Sequence, residues 1–486
     1  MNNIKELNVF HVPDSIELNQ FSSKTVIGKD ITFVLKFPVI TGEELKGIIE
    51  QVQRNRDQYL STLSITDIVE KIDLAVQKWL HPDYPLRKLA ENLIPMITGY
   101  DEEMVRLQIK RYIRTFRKKE LLRFLDEEFD QPAMLDEFRP RKSGGMSKAF
   151  GPSTIFHVFS GNVPGVQVWS IIMGLLVKSG NIGKTSMAEP LFPVLFTESL
   201  AEVDKKLAET IAILPWKGGT TELEEPAIEH CEAVIVYGSN DTVEKLRRKV
   251  PPHKRFLSYG HKISFAYIGK EALTPDLYYD TIKKLAEDVS IYDQQSCLSP
   301  QTIYVEEGGA ISSKQFAQML GAELERYHKK RPRAKLTDEE SMAIQRVRSR
   351  YQLESVQHEN VSVFSSYADT SWTVIFHKET GFEGSPLNRF VHVYSVESLE
   401  SVLSTIKPYQ PYLQSCGLAV SPIRLFSLAN QLGTYGVNRI CSIGEMNQAK
   451  PGWHHDGRFN LLDLVRMTDI ERNLEQNVER YDTDFE

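Results

Sequence analysis

The chain has 486 residues, of which 41% are hydrophobic and 25% are charged, a composition typical of soluble globular proteins. Its formal net charge of -7 gives no electrostatic case for nucleic-acid binding. No signal segment is recognisable, and the most apolar stretch, 163–177, is too short to span a bilayer. The four cysteines are far apart and lack metal-ligand spacing, so we expect free thiols in a reducing cytoplasm.

The N-terminal third changes character near residue 42. Short strands and turns are expected up to that point, and a helical pattern follows almost throughout 41–128. Helices are predicted over 44–58, 64–80 and 102–129. The segment 139–146 is basic and contains glycine, and it is interpreted as a linker or a projecting arm.

An alternation of strands and helices follows, which predicts a parallel sheet covered on both faces. The predicted strands are 153–159, 181–185 and 233–237, and the predicted helices are 163–178, 191–208 and 242–250. Ligands bind such sheets beyond the carboxyl ends of the strands. The polar residues that follow these strands are therefore candidates for a binding site.

A second α/β region is predicted from residue 263 onward. It contains a helix over 281–290, a strand over 302–305, a long charged helical stretch over 313–351, and strands around 361–364, 372–376 and 391–396. The basic run 329–335 is interpreted as solvated surface, with phosphate contact as the alternative. The acidic tail 471–486 is interpreted as a frayed helix end.

Cys297 lies in the sequence YDQQSC, after a predicted helix and before a predicted strand. A thiol at such a junction can sit at the mouth of a cleft and act as a nucleophile on acyl groups or aldehydes. The alternative is a small buried hydrophobic residue, which is the common role of an isolated cysteine.

Asn162 follows the strand in HVFSGNVPG, and Pro164 then opens a helix. Its carboxamide could donate a hydrogen bond to an oxyanion at the strand end. The alternative is an ordinary turn or cap residue.

The candidate cofactor contacts are Lys184, Ser186, Gly238, Ser239 and Gly260, all near predicted strand ends. Lys184 ends a short strand where a ribose or phosphate could lie, although a surface lysine is the alternative. The turn through Gly238 brings backbone N–H groups and a helix N-terminus together, but it lacks the full GxGxxG pattern. The adjacent pair His454 and His455 does not predict a metal site, because neighbouring side chains of an extended chain point to different sides.

Taken in order, these segments resemble the aldehyde dehydrogenase superfamily, and within it the long-chain acyl-CoA reductases of the LuxC type. The resemblance covers residues 150–465 and is carried by HVFSGNVPG, GLLVKSGNIGKTS, IYDQQSCLSPQ and HHDGR. It implies an α/β fold with a helical N-terminal region and a Rossmann-type cofactor domain in 1–262. It also implies an α/β catalytic domain in 263–445 and a C-terminal segment in 446–486.

The resemblance implies a mechanism as well. Cys297 would take a long-chain fatty acyl group as a thioester, and the Asn162 side chain and the Cys297 N–H would hold the oxyanion. Hydride from a nicotinamide would then reduce the thioester to fatty aldehyde. The implied partners are an acyl-CoA or acyl-protein substrate, an acyl-protein synthetase, and further copies of the chain contacted through a hairpin in 130–151.

Two departures from the superfamily pattern refine this expectation. The glutamate that activates water in hydrolytic members has no counterpart, and Ser258 or Tyr259 falls near its place. Met187 replaces a carboxylate that would repel a 2′-phosphate, so NADPH is favoured over NADH. Glu383 lies near the region of the nicotinamide-ribose glutamate, and His157 is either a proton donor or a satisfied strand histidine.

Two other functions stay open at this point. One is a cysteine acyltransferase or thioesterase without nicotinamide, which would need a histidine base near Cys297. The other is a non-catalytic scaffold of a lipid pathway.

Overall fold

The computed structural model describes residues 3–28 and 31–477, which form 18 strands and 16 helices. The strands are β1 (Asn3–Asn8), β2 (Phe21–Ile27), β3 (Ile31–Pro38), β4 (Arg139–Pro140), β5 (Met146–Phe150), β6 (Thr154–Val158), β7 (Gly180–Thr185), β8 (Ile211–Pro215), β9 (Ala233–Tyr237), β10 (Arg255–Tyr259), β11 (Ile263–Ile268), β12 (Pro300–Glu306), β13 (Val361–Ser365), β14 (Thr373–His377), β15 (Phe390–Val396), β16 (Leu413–Ala419), β17 (Arg439–Ser442) and β18 (Arg466–Ile470). The helices are α1 (Gly42–Gln58), α2 (Ile65–Leu80), α3 (Pro85–Thr98), α4 (Glu102–Arg114), α5 (Lys118–Phe129), α6 (Val166–Leu176), α7 (Phe192–Ala201), α8 (Lys205–Ala208), α9 (Thr221–His230), α10 (Asn240–Lys249), α11 (Tyr278–Ser290), α12 (Ser313–Lys330), α13 (Asp338–Gln357), α14 (Leu399–Ile406), α15 (Pro422–Thr434) and α16 (Arg472–Asn477).

A five-stranded parallel sheet forms the centre of the first half, in the order β10-β9-β6-β7-β8. The strands β6, β8 and β9 are buried along their whole length, as expected for a parallel sheet covered on both faces. Side chains of α1, α9 and α10 pack on one face, and those of α2, α5, α6 and α7 form the core on the other. This arrangement leaves the carboxyl ends of the strands as the open edge.

A seven-stranded sheet forms the centre of the second half, in the order β13-β14-β15-β12-β11-β16-β17. All neighbours are parallel except β13 and β14, which are antiparallel. Helices α11 and α12 pack on one face, and α14 and α15 pack on the other. The first sheet ends at Tyr259 and the second begins at Ile263, so the two sheets are joined by three residues.

Two small sheets complete the described chain. The strands β1, β3 and β2 form one of them beside the helical N-terminal region. In the other, β5 pairs with β4 and with β18, so the segment 139–150 is held by residues 466–470. The predicted arm is therefore a hairpin that the C-terminal strand extends, and α16 follows that strand; residues 478–486 lie outside the described residues.

Several predicted boundaries were wrong, and the contacts give the reasons. The stretch 102–129 is two helices, because the Asp73 carboxylate accepts the Lys118 N–H at 2.8 Å and caps a new helix. The stretch 313–351 is also two helices, separated around Pro332 and restarted by a capping box of Thr337 and Glu340. The helix predicted over 191–208 breaks at Asp204, which caps α8 through the Leu207 N–H. The prediction also missed β8 and α9.

In the part of the chain that the structure describes, no helix combines the length and hydropathy required to cross a membrane.

Candidate active site

One cavity of about 930 Å³ lies between the two large sheets and contains both predicted catalytic residues. Asn162 reaches it from the carboxyl end of β6, and Cys297 reaches it from the segment before β12. The cofactor candidates Gly238, Ser239 and Gly260 also line it. The carboxyl edge of the first sheet therefore faces the amino edge of the second across this cavity.

Lys184 and Ser186 lie next to the cavity, outside its lining. A Cβ atom on Gly161 would come within 2.7 Å of the Ser186 Oγ, so glycine is required where the two strand ends approach each other. Lys184 is the penultimate residue of β7, and its Nζ lies 3.7 Å from the position of a Cβ on Gly218. Burial lowers the pKa of Lys184, while Glu224 raises it.

The segment before Cys297 has an unusual backbone. Tyr292, Asp293 and Gln294 have φ values of 50°, 50° and 67°, so three consecutive residues other than glycine are left-handed. Such a conformation costs about 1–2 kcal/mol per residue. The sequence YDQQSC does not show this feature, because none of these residues is glycine.

A second left-handed run holds the first one in place. Leu387, Asn388 and Arg389 have φ values of 60°, 60° and 65°. Arg389 is fully buried, and its Nε donates a hydrogen bond of 2.8 Å to the Asp293 carboxylate. The Asn388 N–H donates to the Asp293 carbonyl at 3.0 Å, and the Phe390 N–H donates to the Gln294 side chain. These contacts fix the chain that leads to Cys297.

The basic run 329–335 takes part in the same assembly. Lys329, Lys330 and Lys335 are exposed, as expected for solvated surface. Arg331 differs, because its carbonyl accepts a hydrogen bond from Arg389 at 3.0 Å. The Ala334 N–H donates to the Asp293 carboxylate at 2.9 Å.

Asn162 faces the Cys297 segment. Its Nδ2 donates to the Gln295 carbonyl at 2.8 Å, and the Tyr100 hydroxyl donates to the Asn162 carbonyl at 2.8 Å. The second amide proton of Asn162 has no acceptor in the part of the chain that the structure describes. Among the described residues, the Cys297 N–H has no acceptor in another residue. Two donors are thus available beside the thiol.

Cys297 is exposed and lines the cavity, whose walls limit the hydration of its thiol. Burial raises the pKa of the thiol to about 12, and the Asp456 carboxylate raises it further. The Gln414 amide and Arg439 act in the opposite direction and favour the thiolate. The resting residue is therefore a protonated thiol at neutral pH.

Sequence reasoning missed the polar group around the thiol. Gln414 Nε2 donates to the Asp456 carboxylate at 2.8 Å, and the Lys262 Nζ lies 3.7 Å from that carboxylate. Asp456 belongs to the HHDGR motif, which carries part of the family resemblance but gave no role for Asp456 itself. The described residues contain no cluster of histidine, cysteine and acidic side chains that could hold a metal. The Asp-Gly pair in the motif was the available signal, since such pairs favour turns.

The turn between β9 and α10 lines one side of the cavity. Ser239 caps α10 by accepting the Thr242 N–H at 3.3 Å. The Asn240 side chain accepts the His261 N–H at 2.9 Å and joins this helix to the turn after β10. Met187 is 46% exposed and directly precedes Ala188, which lines the cavity.

An aromatic wall lines the other side of the cavity. Tyr112, Phe116, Val166 and Trp169 belong to it, and the rings of Phe116 and Trp169 stack at 5.8 Å. Trp169 is seven residues beyond Asn162 and lies on α6, which begins at Val166. The wall presents aromatic and apolar surface to the cavity.

Other candidates lie elsewhere. His157 is buried in β6 and hydrogen-bonds Ser170 and Asn181, which makes it a satisfied strand histidine. Glu383 bonds Tyr351 and Arg350 away from the cavity. Tyr259 lines the cavity with its ring stacked on His455 at 4.1 Å, whereas Ser258 does not line it.

This fold, with a cysteine and an asparagine amide facing each other between two α/β halves, is the aldehyde dehydrogenase fold. The aldehyde dehydrogenase ALDH21 of Physcomitrella patens superimposes with a TM-score of 0.69 at 14% identity, covering 97% of this chain and 98% of that chain. The lactaldehyde dehydrogenase of Escherichia coli gives a TM-score of 0.69 at 12% identity, covering 96% of this chain and 99% of that chain. The fold prediction is confirmed.

The chain belongs to the acyl-CoA reductase (LuxC) family, whose model matches residues 60–467. Its similarity to curated proteins extends over most of its length. It is 26% identical to the long-chain acyl-protein thioester reductase of Vibrio harveyi over 419 residues, 85% of this chain and 84% of that protein. It is 25% identical to the enzyme of the same name from Photorhabdus laumondii over 441 residues, which are 90% of this chain and 87% of that protein. The predicted family and the assignment as an oxidoreductase are confirmed.

Proposed function

We propose that this protein reduces a long-chain fatty acyl thioester to a fatty aldehyde, with NADPH as reductant and Cys297 as the nucleophile. The observation that carries the proposal is the pairing of the Cys297 thiol with Asn162 in one cavity that also has an aromatic wall. Family membership and the names of the relatives from Vibrio harveyi and Photorhabdus laumondii support the acyl substrate.

The first step in this proposal is acyl transfer. The Cys297 sulfur attacks the carbonyl carbon of an acyl-CoA or acyl-protein, the new C–S bond forms, and the donor thiolate leaves and takes up the cysteine proton. The Asn162 Nδ2 and the Cys297 N–H stabilise the oxyanion of the tetrahedral intermediate. The acyl chain lies along Phe116 and Trp169, where the aromatic wall replaces water around it.

The second step is reduction of the acyl-cysteine. When bound, NADPH supplies a hydride and is oxidised to NADP⁺. The thioester carbon becomes a thiohemiacetal oxyanion on Cys297, held by the same two donors. Its collapse breaks the C–S bond, releases the aldehyde, and leaves the thiolate ready for another acyl group.

The residues at the place of the water-activating glutamate are not suited to act as a base, which favours reduction of the acyl-enzyme. Ser258 does not line the cavity, and burial raises the pKa of Tyr259, which keeps its phenol neutral. Asp456 also lies outside the cavity lining and is held by Gln414. Hydrolysis of the thioester is therefore expected to be slow.

The cofactor assignment is supported by the turn after β9 and its neighbours. Gly238, Ser239 and the start of α10 offer backbone N–H groups to a diphosphate, and Gly161 keeps the cleft open beside Ser186. Lys184 lies at the strand end where an adenosine ribose would bind. With Met187 in place of a carboxylate, a 2′-phosphate meets no repulsion, which favours NADPH over NADH.

The proposed assembly rests on analogy with the fold family. The hairpin within 130–151 is proposed as the contact between copies of the chain, and an acyl-protein synthetase is proposed as the acyl donor. A thioesterase or acyltransferase dyad is not favoured, since no histidine in the described ranges hydrogen-bonds the Cys297 thiol. The intact thiol and amide likewise disfavour a non-catalytic scaffold.

The test is reduction of tetradecanoyl-CoA by the purified protein, followed by loss of NADPH absorbance and by mass spectrometry of the aldehyde. We expect aldehyde formation by the wild type and by the control variant Cys441→Ala, whose thiol is half-buried outside the cavity. We expect none from Cys297→Ala. Equal turnover by Cys297→Ala would refute the proposal.

A further inference from the structure

We infer that Gln414 and Asp456 form a positioning pair that holds and tunes the nucleophilic thiol of Cys297. The pair comes from two elements far apart in the sequence. Gln414 is the second residue of β16, at the amino edge of the second sheet, and Asp456 lies in a short turn between β17 and β18. Neither residue belongs to the Asn162 and Cys297 oxyanion site.

The geometry of the pair is fixed on the Asp456 side. Asp456 and Gly457 are both left-handed, with φ values of 53° and 74°. A Cβ on residue 457 would approach the Asn438 Oδ1 to 2.5 Å, so this turn requires glycine. The Asp456 side chain is 7% exposed to solvent. Its carboxylate lies 3.7 Å from the Lys262 ammonium.

The carboxylate in turn fixes the orientation of the Gln414 amide. A carboxylate only accepts hydrogen bonds, so the group 2.8 Å from it must be the Gln414 NH₂. Gln414 is 1% exposed and lines the cavity beside Cys297. One amide proton binds Asp456 and the other is available to the thiol, while the Gln414 Oε1 has no partner among the described residues. A buried amide oxygen without a hydrogen bond destabilises the folded state. The bond to Asp456 holds the Gln414 amide in this orientation in spite of that penalty.

The two members act on the thiol in opposite directions. The Ser264 hydroxyl donates to the Cys297 carbonyl at 2.6 Å and accepts the Ser415 N–H at 3.2 Å, which places the start of β16, and with it Gln414, next to the Cys297 segment. The Gln414 amide lowers the pKa of the Cys297 thiol, and the Asp456 carboxylate raises it. Arg439 also lowers the pKa of the thiol, and the Lys262 ammonium lies 3.7 Å from the Asp456 carboxylate. His455 lies 3.9 Å from Asp456 and has a pKa lowered to about 4 by burial, so it is neutral at the pH of the test.

The test is the pH dependence of Cys297 alkylation by iodoacetamide, measured on the Cys297 peptide by mass spectrometry in the full-length protein. We expect Asp456→Asn to lower the apparent pKa and Gln414→Leu to raise it, with a change of about tenfold in the rate at fixed pH per pKa unit. The matched control is Gln448→Leu, which removes an amide from the same cavity. Within the described ranges the Gln448 side chain bonds only the Gly444 carbonyl. This variant should leave the profile unchanged.

Shifts in the same direction for both variants, or none, would overturn the inference. Asp456→Asn preserves shape and keeps the test valid should Gln414→Leu fold poorly. The inference rests on the proposed function, in which Cys297 is the nucleophile. The alkylation profile measures the pKa of the thiol and does not require turnover. If the two variants shift this pKa in opposite directions but the protein forms no aldehyde, only the proposed acyl reduction is refuted.

Discussion

The buried ion pair between Arg389 and Asp293 offers the sharpest test of how the Cys297 segment is held. The pair connects two runs of three left-handed residues, and its side chains are 0% and 2% exposed. At about 1–2 kcal/mol per residue, the six left-handed residues cost roughly 6–12 kcal/mol. The hydrogen bonds between the runs must offset this cost.

Arg389→Met removes the guanidinium and leaves the Asp293 carboxylate buried, with the hydrogen bond of 2.9 Å from the Ala334 N–H still in place. Breaking a buried pair in this way costs about 3–5 kcal/mol, because a charge remains desolvated without a partner. We expect the free energy of unfolding in urea to fall by that amount. The double variant Asp293→Leu/Arg389→Met should be more stable than Arg389→Met, since the unpaired charge is gone.

The matched control is Arg248→Met. Its partner is Glu244 one turn away on α10, and the two side chains are 76% and 65% exposed. Exposed pairs contribute about 0.2–1 kcal/mol. A loss of less than about 1 kcal/mol in Arg389→Met, equal to that of the control, would refute the role assigned to the pair.

Three further predictions concern the oxyanion, the cofactor and the pH dependence. Asn162→Ala should lower kcat about 10²–10³-fold with unchanged NADPH affinity, and a fall of less than about threefold would contradict the assigned role. Met187→Glu should shift the ratio of NADPH to NADH affinity toward NADH by about tenfold in a fluorescence titration, because the new carboxylate repels the 2′-phosphate; an unchanged ratio would place the phosphate elsewhere. Burial lowers the pKa of His157 to about 3, so between pH 6.5 and 3 the unfolded state binds a proton that the folded state does not, and stability falls as the pH falls. Between pH 7 and pH 5, the free energy of unfolding in urea should fall by about 2 kcal/mol less in His157→Gln than in the wild type. An equal dependence of this free energy on pH in both proteins would contradict the prediction.

Much of the fold could be predicted from the sequence because the periodic patterns are local. Strand and helix alternation predicted the first sheet, although the apolar run Ile211–Pro215 was overlooked as its edge strand. The helix breaks near Thr115 and Asp204 were harder to see. The break near Thr115 depends on Asp73, a capping residue 45 positions away from Lys118 in the sequence.

Some residues of the candidate site could likewise be predicted from local patterns, and others could not. Cys297, Asn162 and Gly238 follow or precede strands, so their positions at sheet edges could be inferred from local patterns. Gln414 and Asp456 could not be associated with Cys297, because only the packing of the second sheet brings them together. The left-handed runs could not be predicted either, because they contain no glycine and are stabilised by the contact between Asp293 and Arg389.

The most direct measurement of the central claim is intact-protein mass spectrometry of the acyl-enzyme. The protein is incubated with tetradecanoyl-CoA, the adduct is mapped, and NADPH is then added. The account predicts one acyl group on Cys297 that persists without cofactor and disappears with release of tetradecanal when NADPH is added. An adduct on another residue, or an adduct on Cys297 that is lost as free fatty acid with or without NADPH, would contradict it.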